Sequence, residues 1–351
     1  MADEQASHRA AARRKRDRGC GKRLLGFGRT KHYSTTTREG DFPVLDRTSI
    51  RKANVSKPSG RRTLLRWRRS VLAWLLAIPT LIVFAIFIWQ PIVSEVYDSF
   101  FNLQGFTPSN FIGLQNYTNV MQNTTFVQTL FNTIWYVLWS LIIGWPVPII
   151  TALLINEMRR FQGFFKFAVY FPAMIPSIAS YMLWEFVYDA SPRGLLNLLL
   201  HALGFPPSQW LQNAGLTIPL IVVTMTWAGF GGTTLLYLAS LQGVNPELYE
   251  AASIDGAGVF RRLWHIALPQ IASVILILVV LQIIGVFQTY LQPMVMTGGG
   301  PNNASMTLLL QSYDYAFRYF QVGKSMAIGV MTLVILLGVS ALYFRLAKKF
   351  D

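Results

Sequence analysis

The sequence predicts an all-α integral membrane protein with six transmembrane helices. Hydrophobic residues make up 52% of its 351 residues and charged residues only 13%, whereas soluble proteins carry about 25% charged residues. Six apolar runs follow residue 70, each long enough for the ~20 residues with which a helix crosses a ~30 Å hydrocarbon layer. The runs lie near 71–93, 130–155, 164–188, 216–241, 270–292 and 325–345.

A basic arm precedes the apolar runs. Residues 1–69 contain 20 of the 31 Lys and Arg residues against six acids. From residue 71 onward, eleven bases face ten acids. We expect 1–69 to be a disordered cytoplasmic arm that contacts anionic membrane lipids, and 70–351 to form the transmembrane domain. No folded aromatic and basic module accompanies the arm, so we expect no nucleic-acid partner.

Lys and Arg also predict the orientation in the membrane. If the termini and successive connections lie on alternate sides of the membrane, 28 Lys and Arg residues fall on one side and three on the other. Because the side richer in these residues is normally cytoplasmic, we expect both termini in the cytoplasm. The connection at 246–269 would then also be cytoplasmic.

The connection at 246–269, here called the coupling segment, has the pattern of two short helices joined by a sharp turn. Asn245 can cap a helix that begins at Pro246, and Gly256 permits backbone angles that other residues avoid. An apolar stripe at helical spacing follows, and Pro269 ends the segment. An amphipathic connecting loop is the plainer alternative, but this order of residues favours a docking element.

The coupling segment resembles the cytoplasmic coupling motif of ABC importer permeases. The matching residues are Glu250-Ala251-Ala252, Asp255-Gly256-Ala257, Ile266 and Leu268-Pro269, with Trp264 where the usual motif has Phe. Further stretches resemble the carbohydrate-uptake group, which includes maltose and glycerol-phosphate permeases: Phe111–Tyr117, Asn132-Thr133, Phe171-Pro172, Gly194–Asn197 and Thr297–Pro301. The likeness covers about 70–350.

The resemblance implies a type I ABC importer permease fold in the cytoplasmic (inner) membrane. It also implies several partners: a second homologous permease subunit, two ATPase subunits and an extracytoplasmic sugar-binding protein. The positions that would contact the ATPase are Glu250, Ala251, Ala252, Asp255, Gly256 and Ala257. Of these, Gly256 would supply the turn and Glu250 a polar anchor.

The sequence contains no catalytic or metal-binding pattern. It lacks a Gly-x-x-x-x-Gly-Lys-Ser/Thr loop for nucleotide phosphates, and its four His and single Cys have no metal-ligand spacing. We therefore expect no cofactor in this chain and no enzyme activity, with ATP and Mg bound by the partner ATPase.

A candidate substrate site follows from counting outward from the matched motifs. The sugar-contacting positions of the maltose permease fall at Ala228, Gly229, Gly232, Gln282, Val286 and Thr289, and Trp227 adds an aromatic ring. Polar groups inside spans tend to be functional or to bond neighbouring helices. Interhelical hydrogen bonding for Gln282 and Thr289, and close helix packing for the glycines, therefore remain open alternatives.

A sugar or oligosaccharide is the expected cargo, with two alternatives. The first is the same architecture importing glycerol phosphate or another small solute; the apolar spans offer no buried Lys or Arg for an anion, which favours a neutral sugar. The second is an ion-coupled secondary transporter, which would usually carry acids within its spans. Glu185 is the candidate acid, and it lies toward the outer end of its run.

Overall fold

The computed structural model describes residues 73–104, 107–158 and 160–347. The predicted arm at 1–69 lies outside these residues. The first half contains α1 (Ala73–Asp98), the antiparallel hairpin β1 (Phe101–Gln104) and β2 (Thr107–Phe111), α2 (Gln115–Met121), α3 (Thr124–Glu157), α4 (Gln162–Met174), α5 (Ser177–Val187) and α6 (Leu195–Ala202). The second half contains α7 (Ala214–Gln242), α8 (Pro246–Ile254), α9 (Val259–Gln270), α10 (Ala272–Phe287), α11 (Leu291–Thr297), α12 (Leu308–Tyr313) and α13 (Val322–Ala347).

Four helices of the described chain, α1, α3, α7 and α13, are long and apolar enough to cross a membrane alone. Two further spans form if each bent pair counts as one crossing: α4 with α5, and α9 with α10. The structure therefore agrees with the predicted helical membrane fold and gives up to six spans, and it adds one short feature that the sequence did not predict, the hairpin of β1 and β2.

The third predicted span, 164–188, is two helices rather than one kinked helix. The axes of α4 and α5 differ by 93°. Steric conflict with a following proline pushes a residue toward extended backbone angles, and Ile175, which precedes Pro176, has a ψ of 134°. The run of apolar residues is continuous, but the chain turns sharply within it.

The fifth predicted span, 270–292, is also interrupted. The axes of α9 and α10 differ by 72° across Ile271. Helix α10 ends at Phe287, and three residues, 288–290, separate it from α11. The apolar run therefore covers α10, a break, and the first residues of α11.

Helix α7 lies at the centre of the bundle and packs along α3. One buried cluster joins Tyr136 of α3 to Ile221 and Val222 of α7. A second cluster at the other end of these helices includes Ala152 and Tyr237. Helix α4 crosses α7 so closely that a Cβ at Gly231 would collide with the Val169 carbonyl oxygen, which explains the glycine at this crossing.

Several residues that carry the family resemblance brace loops. Asn116 donates from Nδ2 to the carbonyls of Ser99, at 2.8 Å, and Phe101, at 2.9 Å, and so ties α2 to the start of the hairpin. Asn197, which is 1% exposed, accepts at Oδ1 from Trp210 Nε1 at 2.8 Å and donates to three loop carbonyls within 3.1 Å. These side chains replace regular secondary structure as partners for buried backbone groups.

The loop at 298–307 is fastened to the first turns of α3. Asn132 Nδ2 donates to the carbonyls of Asn303 at 2.7 Å and Met306 at 3.1 Å. Gln128 Nε2 donates to the Asn302 carbonyl at 3.0 Å, and the Tyr136 hydroxyl donates to the Ser305 carbonyl at 3.2 Å. A loop without regular structure is thereby held in one conformation at the end of α3 remote from the coupling segment.

Candidate functional site

The coupling segment begins with a well-capped helix. Asn245 Oδ1 accepts a hydrogen bond from the Glu247 backbone N–H at 3.0 Å, and Pro246 occupies the first position of α8. Glu247 lies in the first turn, where the positive end of the helix dipole stabilises a carboxylate. The structure therefore confirms the predicted cap at Asn245 and the predicted helix start at Pro246.

Gly256 closes α8 in a Schellman motif. The Ala257 N–H donates to the Ala252 carbonyl at 2.9 Å, and the Gly256 N–H donates to the Ser253 carbonyl at 3.1 Å. This pattern places Gly256 in the left-handed region, with a φ of +75°. The turn between α8 and α9 therefore requires the conformation that glycine adopts without strain.

The inward side of the coupling segment is anchored in the bundle. Leu263, Ala267 and Leu268 join the buried cluster formed by the facing ends of α3 and α7. Ala267 has no exposed surface. A displacement of the segment would therefore displace the ends of both long helices.

Arg262, on α9, connects the two helices of the coupling segment with each other and with the end of α3. Its Nη1 donates to Ser253 Oγ on α8 at 2.7 Å, and its Nη2 lies 3.7 Å from Glu157 Oε2, at the last residue of α3. Tyr249 lies beside this pair. Burial raises the pKa of Tyr249, the Glu157 carboxylate raises it further, and the Arg262 guanidinium opposes the rise.

The outward side of the segment exposes large apolar side chains. Ile254 is 86% exposed, Phe260 80% and Trp264 62%, and the last two rings stack with centroids 6.4 Å apart. Exposed apolar side chains of this size mark a surface that contacts another protein or the membrane. Of the predicted ATPase-contact residues, two are half-buried, Ala252 and Ala257, and four are exposed, Glu250, Ala251, Asp255 and Gly256. Ile254 and Phe260 are not among the residues that match the coupling motif, and their exposure is a feature that only the structure reveals.

A second candidate region is a cleft of 380 Å³ between α3, α7 and α10, here called the central cleft. Gln282 of α10 reaches across it and donates from Nε2 to the Ser140 carbonyl at 2.7 Å. Ser140–Gly144 is a π-helical segment within α3, a feature frequent at functional sites. A Cβ at Gly144 would lie 2.6 Å from Gln282 Nε2, so the glycine makes room for this amide.

The central cleft contains three of the seven predicted substrate residues, Gly229, Gln282 and Val286. The other four lie elsewhere. Trp227 packs edge-on against Trp184 with ring centroids 5.5 Å apart, and Ala228 packs against the buried cluster around Tyr136. Gly232 and Thr289 are not among the residues that line the cleft. Thr289 follows α10 and is only 4% exposed.

Sequence reasoning missed the polar and small residues that α3 and α7 contribute to the central cleft: Ser140, Gly144, Thr226 and Thr233. Their signal was available, because polar residues inside apolar runs are candidates for function. Asp, Glu, Lys, Arg and His are absent from the residues lining this cleft. Among residues 73–104, 107–158 and 160–347, no group of three His, Cys, Asp or Glu could hold a metal ion.

Comparison with known proteins identifies the family. Residues 144–351, more than half of the chain, match the family model described as "Binding-protein-dependent transport system inner membrane component". The chain belongs to this family. This permease is 33% identical over 312 residues to the arabinooligosaccharides transport system permease protein AraP of Bacillus subtilis (strain 168), covering 88% of this chain and 98% of the relative.

Two further comparisons agree. The permease is 31% identical over 285 residues to the trehalose/maltose transport system permease protein MalF of Thermococcus litoralis, covering 81% of this chain and 96% of the relative. The solved structure of a bacterial alginate ABC transporter, in complex with alginate pentasaccharide-bound periplasmic protein, has a similar fold. Its TM-score is 0.71 at 23% identity, covering 80% of this chain and 96% of that chain.

These comparisons confirm the resemblance and the type I permease fold predicted from the sequence. The protein is a multi-pass membrane permease of an ABC transport system, and therefore a transport component.

Proposed function

We propose that this permease moves a neutral sugar or oligosaccharide across the cytoplasmic membrane. Alternating access is driven by a partner ATPase that binds the coupling segment. The observation that carries this proposal is the construction of the segment: it is fixed to α3 and α7 on its inner side and presents apolar residues on its outer side. The similarity to permeases of arabinooligosaccharide and trehalose/maltose transport systems supports a saccharide cargo.

The ATPase contact is argued from exposed surface and rigidity. Ile254, Phe260 and Trp264 form the apolar part of the contact, and the exposed carboxylates Glu250 and Asp255 flank it. The Schellman turn and the Arg262 contacts keep α8 and α9 in a fixed relation. A rigid element transmits displacement from the ATPase, which binds ATP and Mg, to the ends of α3 and α7.

A neutral cargo is argued from the central cleft. Its lining combines apolar surface with the Gln282 amide, which bonds the neighbouring helix through Nε2, and the Thr226 hydroxyl, which donates to the Val222 carbonyl of its own helix. The Gln282 Oε1 and the oxygen lone pairs of Thr226 remain as acceptors, and the lining carries no charged side chain. Hydrogen bonds and apolar contacts suit a sugar. The phosphate of glycerol phosphate, the main alternative cargo, would find no cationic partner in this lining, and a buried anion requires cationic or N–H-rich surroundings. An ion-coupled mechanism would need acidic residues that the lining lacks.

The proposal requires partners. A second homologous permease subunit completes the path, two ATPase subunits engage the pair of permeases from the cytoplasm, and an extracytoplasmic sugar-binding protein delivers the cargo. Both termini and the coupling segment lie in the cytoplasm in this arrangement, and the basic arm at 1–69 contacts anionic lipid.

Site-directed crosslinking tests the coupling contact. The single cysteine, Cys20, is replaced by serine, and Ile254→Cys is introduced on the coupling segment. Leu203→Cys is the matched control, because Leu203 is 72% exposed but precedes α7, at the end remote from the segment. The permease is co-expressed with a sugar-importer ATPase and treated with a maleimide that carries a benzophenone. The maleimide attaches to the introduced cysteine, and the benzophenone, when illuminated, attaches to a nearby C–H bond of the other protein.

We expect Ile254→Cys, and not Leu203→Cys, to crosslink to the ATPase, with a yield that changes when ATP is added. Uptake of labelled saccharides into vesicles that contain the complete complex and its binding protein tests the cargo. An ATPase crosslink only at Leu203 would contradict the orientation and the coupling contact together.

A further inference from the structure

A polar cleft lies at the opposite end of α3 from the coupling segment and is here called the distal cleft. It has a volume of 390 Å³. Its lining comes from the start of α3, the fastened loop and the chain before and at the start of α13: Asn123, Thr125, Asn303, Met306, Gln311, Asp314, Tyr315, Tyr319, Gln321 and Lys324. Helix α3 has 34 residues and is about 51 Å long, so the distal cleft and the coupling segment are far apart.

The walls of the distal cleft are held in place by contacts between distant parts of the chain. Asn123 Nδ2 donates to the Tyr315 hydroxyl at 3.1 Å, across 192 positions of sequence. The Tyr315 and Tyr319 rings pack edge to face with centroids 5.9 Å apart, and Lys324 Nζ lies 5.6 Å from the centre of the Tyr315 ring. The cleft is therefore preformed, as ligand sites usually are.

Two buried side-chain oxygens in the wall of the distal cleft have no hydrogen-bond partner among the described residues: Asp314 Oδ1, which belongs to an ion pair with Arg318, and Gln311 Oε1, which faces no charge partner. Gln311 is only 5% exposed. Buried side-chain polar atoms are normally hydrogen-bonded. An unpartnered amide oxygen in the wall of a cleft of this volume points to an acceptor that a bound hydroxyl group would satisfy.

The charge of the distal cleft is partly compensated by its own residues. Asp314 is 4% exposed, and its Oδ1 lies 3.1 Å from Arg318 Nε in an ion pair. Burial raises the pKa of Asp314, and the Arg318 guanidinium opposes the rise. The ammonium group of Lys324 faces the Tyr315 ring. The groups left for a ligand are mainly amides, hydroxyls and tyrosine rings.

We propose that the distal cleft binds a sugar ring of a neutral saccharide on the side where the cargo enters, as a subsite separate from the central cleft. Side-chain amides and hydroxyls donate to and accept from sugar hydroxyls, and the exposed Tyr319 ring offers an apolar face to the ring carbons. A volume of 390 Å³ lies within the range of small-molecule sites. This inference rests on the proposed saccharide cargo and deepens it.

A spin label at the distal cleft locates a bound saccharide directly. In a Cys20→Ser background, Gln321→Cys carries a nitroxide at the cleft, and Leu203→Cys carries one at a position that does not line it. The complete importer complex in lipid nanodiscs, without binding protein, is mixed with maltotriose or arabinotriose. We expect the label at position 321 to broaden the proton resonances of at least one of these saccharides, and the label at 203 to broaden neither.

Two further variants test the residues of the distal cleft. Tyr319→Ala removes the exposed ring from the cleft, and Tyr97→Ala removes an equally exposed ring elsewhere, since both side chains are 61% exposed. We expect Tyr319→Ala to weaken the broadening from position 321 by about fivefold and Tyr97→Ala to leave it unchanged. Gln311→Leu removes the unpartnered oxygen and should weaken the broadening as well.

The outcomes separate this inference from the proposed function. Equal broadening from both labels, no broadening from position 321 with either saccharide, or broadening that neither Tyr319→Ala nor Gln311→Leu reduces would overturn the subsite. Uptake of either saccharide by vesicles with the binding protein present tests the cargo independently. Uptake without broadening from position 321 supports the proposed function and rejects the distal subsite.

Discussion

Two glycines in the turn of the coupling segment provide a sharp test of its rigidity. Gly256 and Gly258 lie two residues apart, both are exposed, and a Cβ added at either would meet no atom within 4 Å. They differ in backbone conformation, because Gly256 has a φ of +75° and Gly258 a φ of −64°. Alanine at the two positions therefore adds the same methyl group with different strain.

The expected magnitude follows from that conformation. A non-glycine residue in the left-handed region costs roughly 1–2 kcal/mol, so Gly256→Ala should destabilise the turn by about that amount. This corresponds to a reduction of roughly 5–30-fold in the equilibrium favouring the native turn. Gly258→Ala meets neither strain nor contact. It only weakens the N-cap of α9, because alanine caps a helix less well than glycine, and should change this equilibrium less than Gly256→Ala.

The assay measures ATP hydrolysis by the purified complex in lipid nanodiscs, with and without saccharide-loaded binding protein. We expect Gly256→Ala to reduce the stimulated rate several-fold and Gly258→Ala to reduce it less. Gly256→Asn should have a smaller effect than alanine, because asparagine tolerates left-handed angles better. Amounts of assembled complex, measured by size-exclusion chromatography, serve as the control for membrane insertion.

The reasoning would be refuted by equal effects of the two alanine variants. It would also be refuted if Gly256→Ala retained full stimulation, since the strained turn would then have no part in coupling. A loss caused by Gly256→Asn greater than that caused by alanine would show that side-chain size, rather than backbone angle, controls the segment.

Three more predictions concern other contacts. Gln282→Ala removes the hydrogen bond to the Ser140 carbonyl and should alter the saccharide selectivity or rate of uptake; unchanged uptake of every tested sugar would exclude Gln282 from the site. Arg262→Met should lower stimulated ATP hydrolysis more than Glu157→Gln does, because Arg262 also bonds α8 while its 3.7 Å pair with Glu157 is loose; the opposite order would contradict this role. Asn132→Ala leaves the Met306 carbonyl unpaired and the Asn303 carbonyl with only the Met306 N–H as donor, and it should lower stability by roughly 1–3 kcal/mol, measured as a lower thermal unfolding midpoint. An unchanged midpoint would count against the fastening role.

The positions of the apolar helices could be predicted from the sequence because hydrocarbon requires long apolar stretches. The cap at Asn245 and the turn at Gly256 could also be predicted, since both follow from local backbone chemistry. These features depend on residues close together in the chain, and the structure has α8 beginning at Pro246 and the left-handed turn at Gly256.

The bends within spans were harder to predict. Pro172 and Pro176 lie four residues apart in one apolar run, and a proline within a membrane helix is compatible with a slight kink or with a full break. Which of these occurs depends on the neighbouring helices. The 93° change of direction between α4 and α5 could therefore not be predicted from the local sequence.

Contacts between distant segments could not be predicted from one sequence. The hydrogen bond from Gln282 to the Ser140 carbonyl spans 142 positions of sequence. Ser140 belongs to no motif, and its place in a π-helical segment is visible only in the structure. Counting along the chain brought Gly229, Gln282 and Val286 to one cleft, but it also included Thr289, which follows the end of α10. The helical spacing used to place Thr289 beside Gln282 and Val286 no longer applies, because the helix ends at Phe287.

The length of α3 has a mechanical consequence. Its last residue, Glu157, lies beside Arg262, while its first turns hold the loop that walls the distal cleft. A helix of 34 residues, about 51 Å long, that moves as one body and pivots by about 5° at one end sweeps its other end through roughly 4 Å. A small rotation at the end of α3 beside Arg262 would thus widen or narrow the opposite mouth by more than the radius of a water molecule.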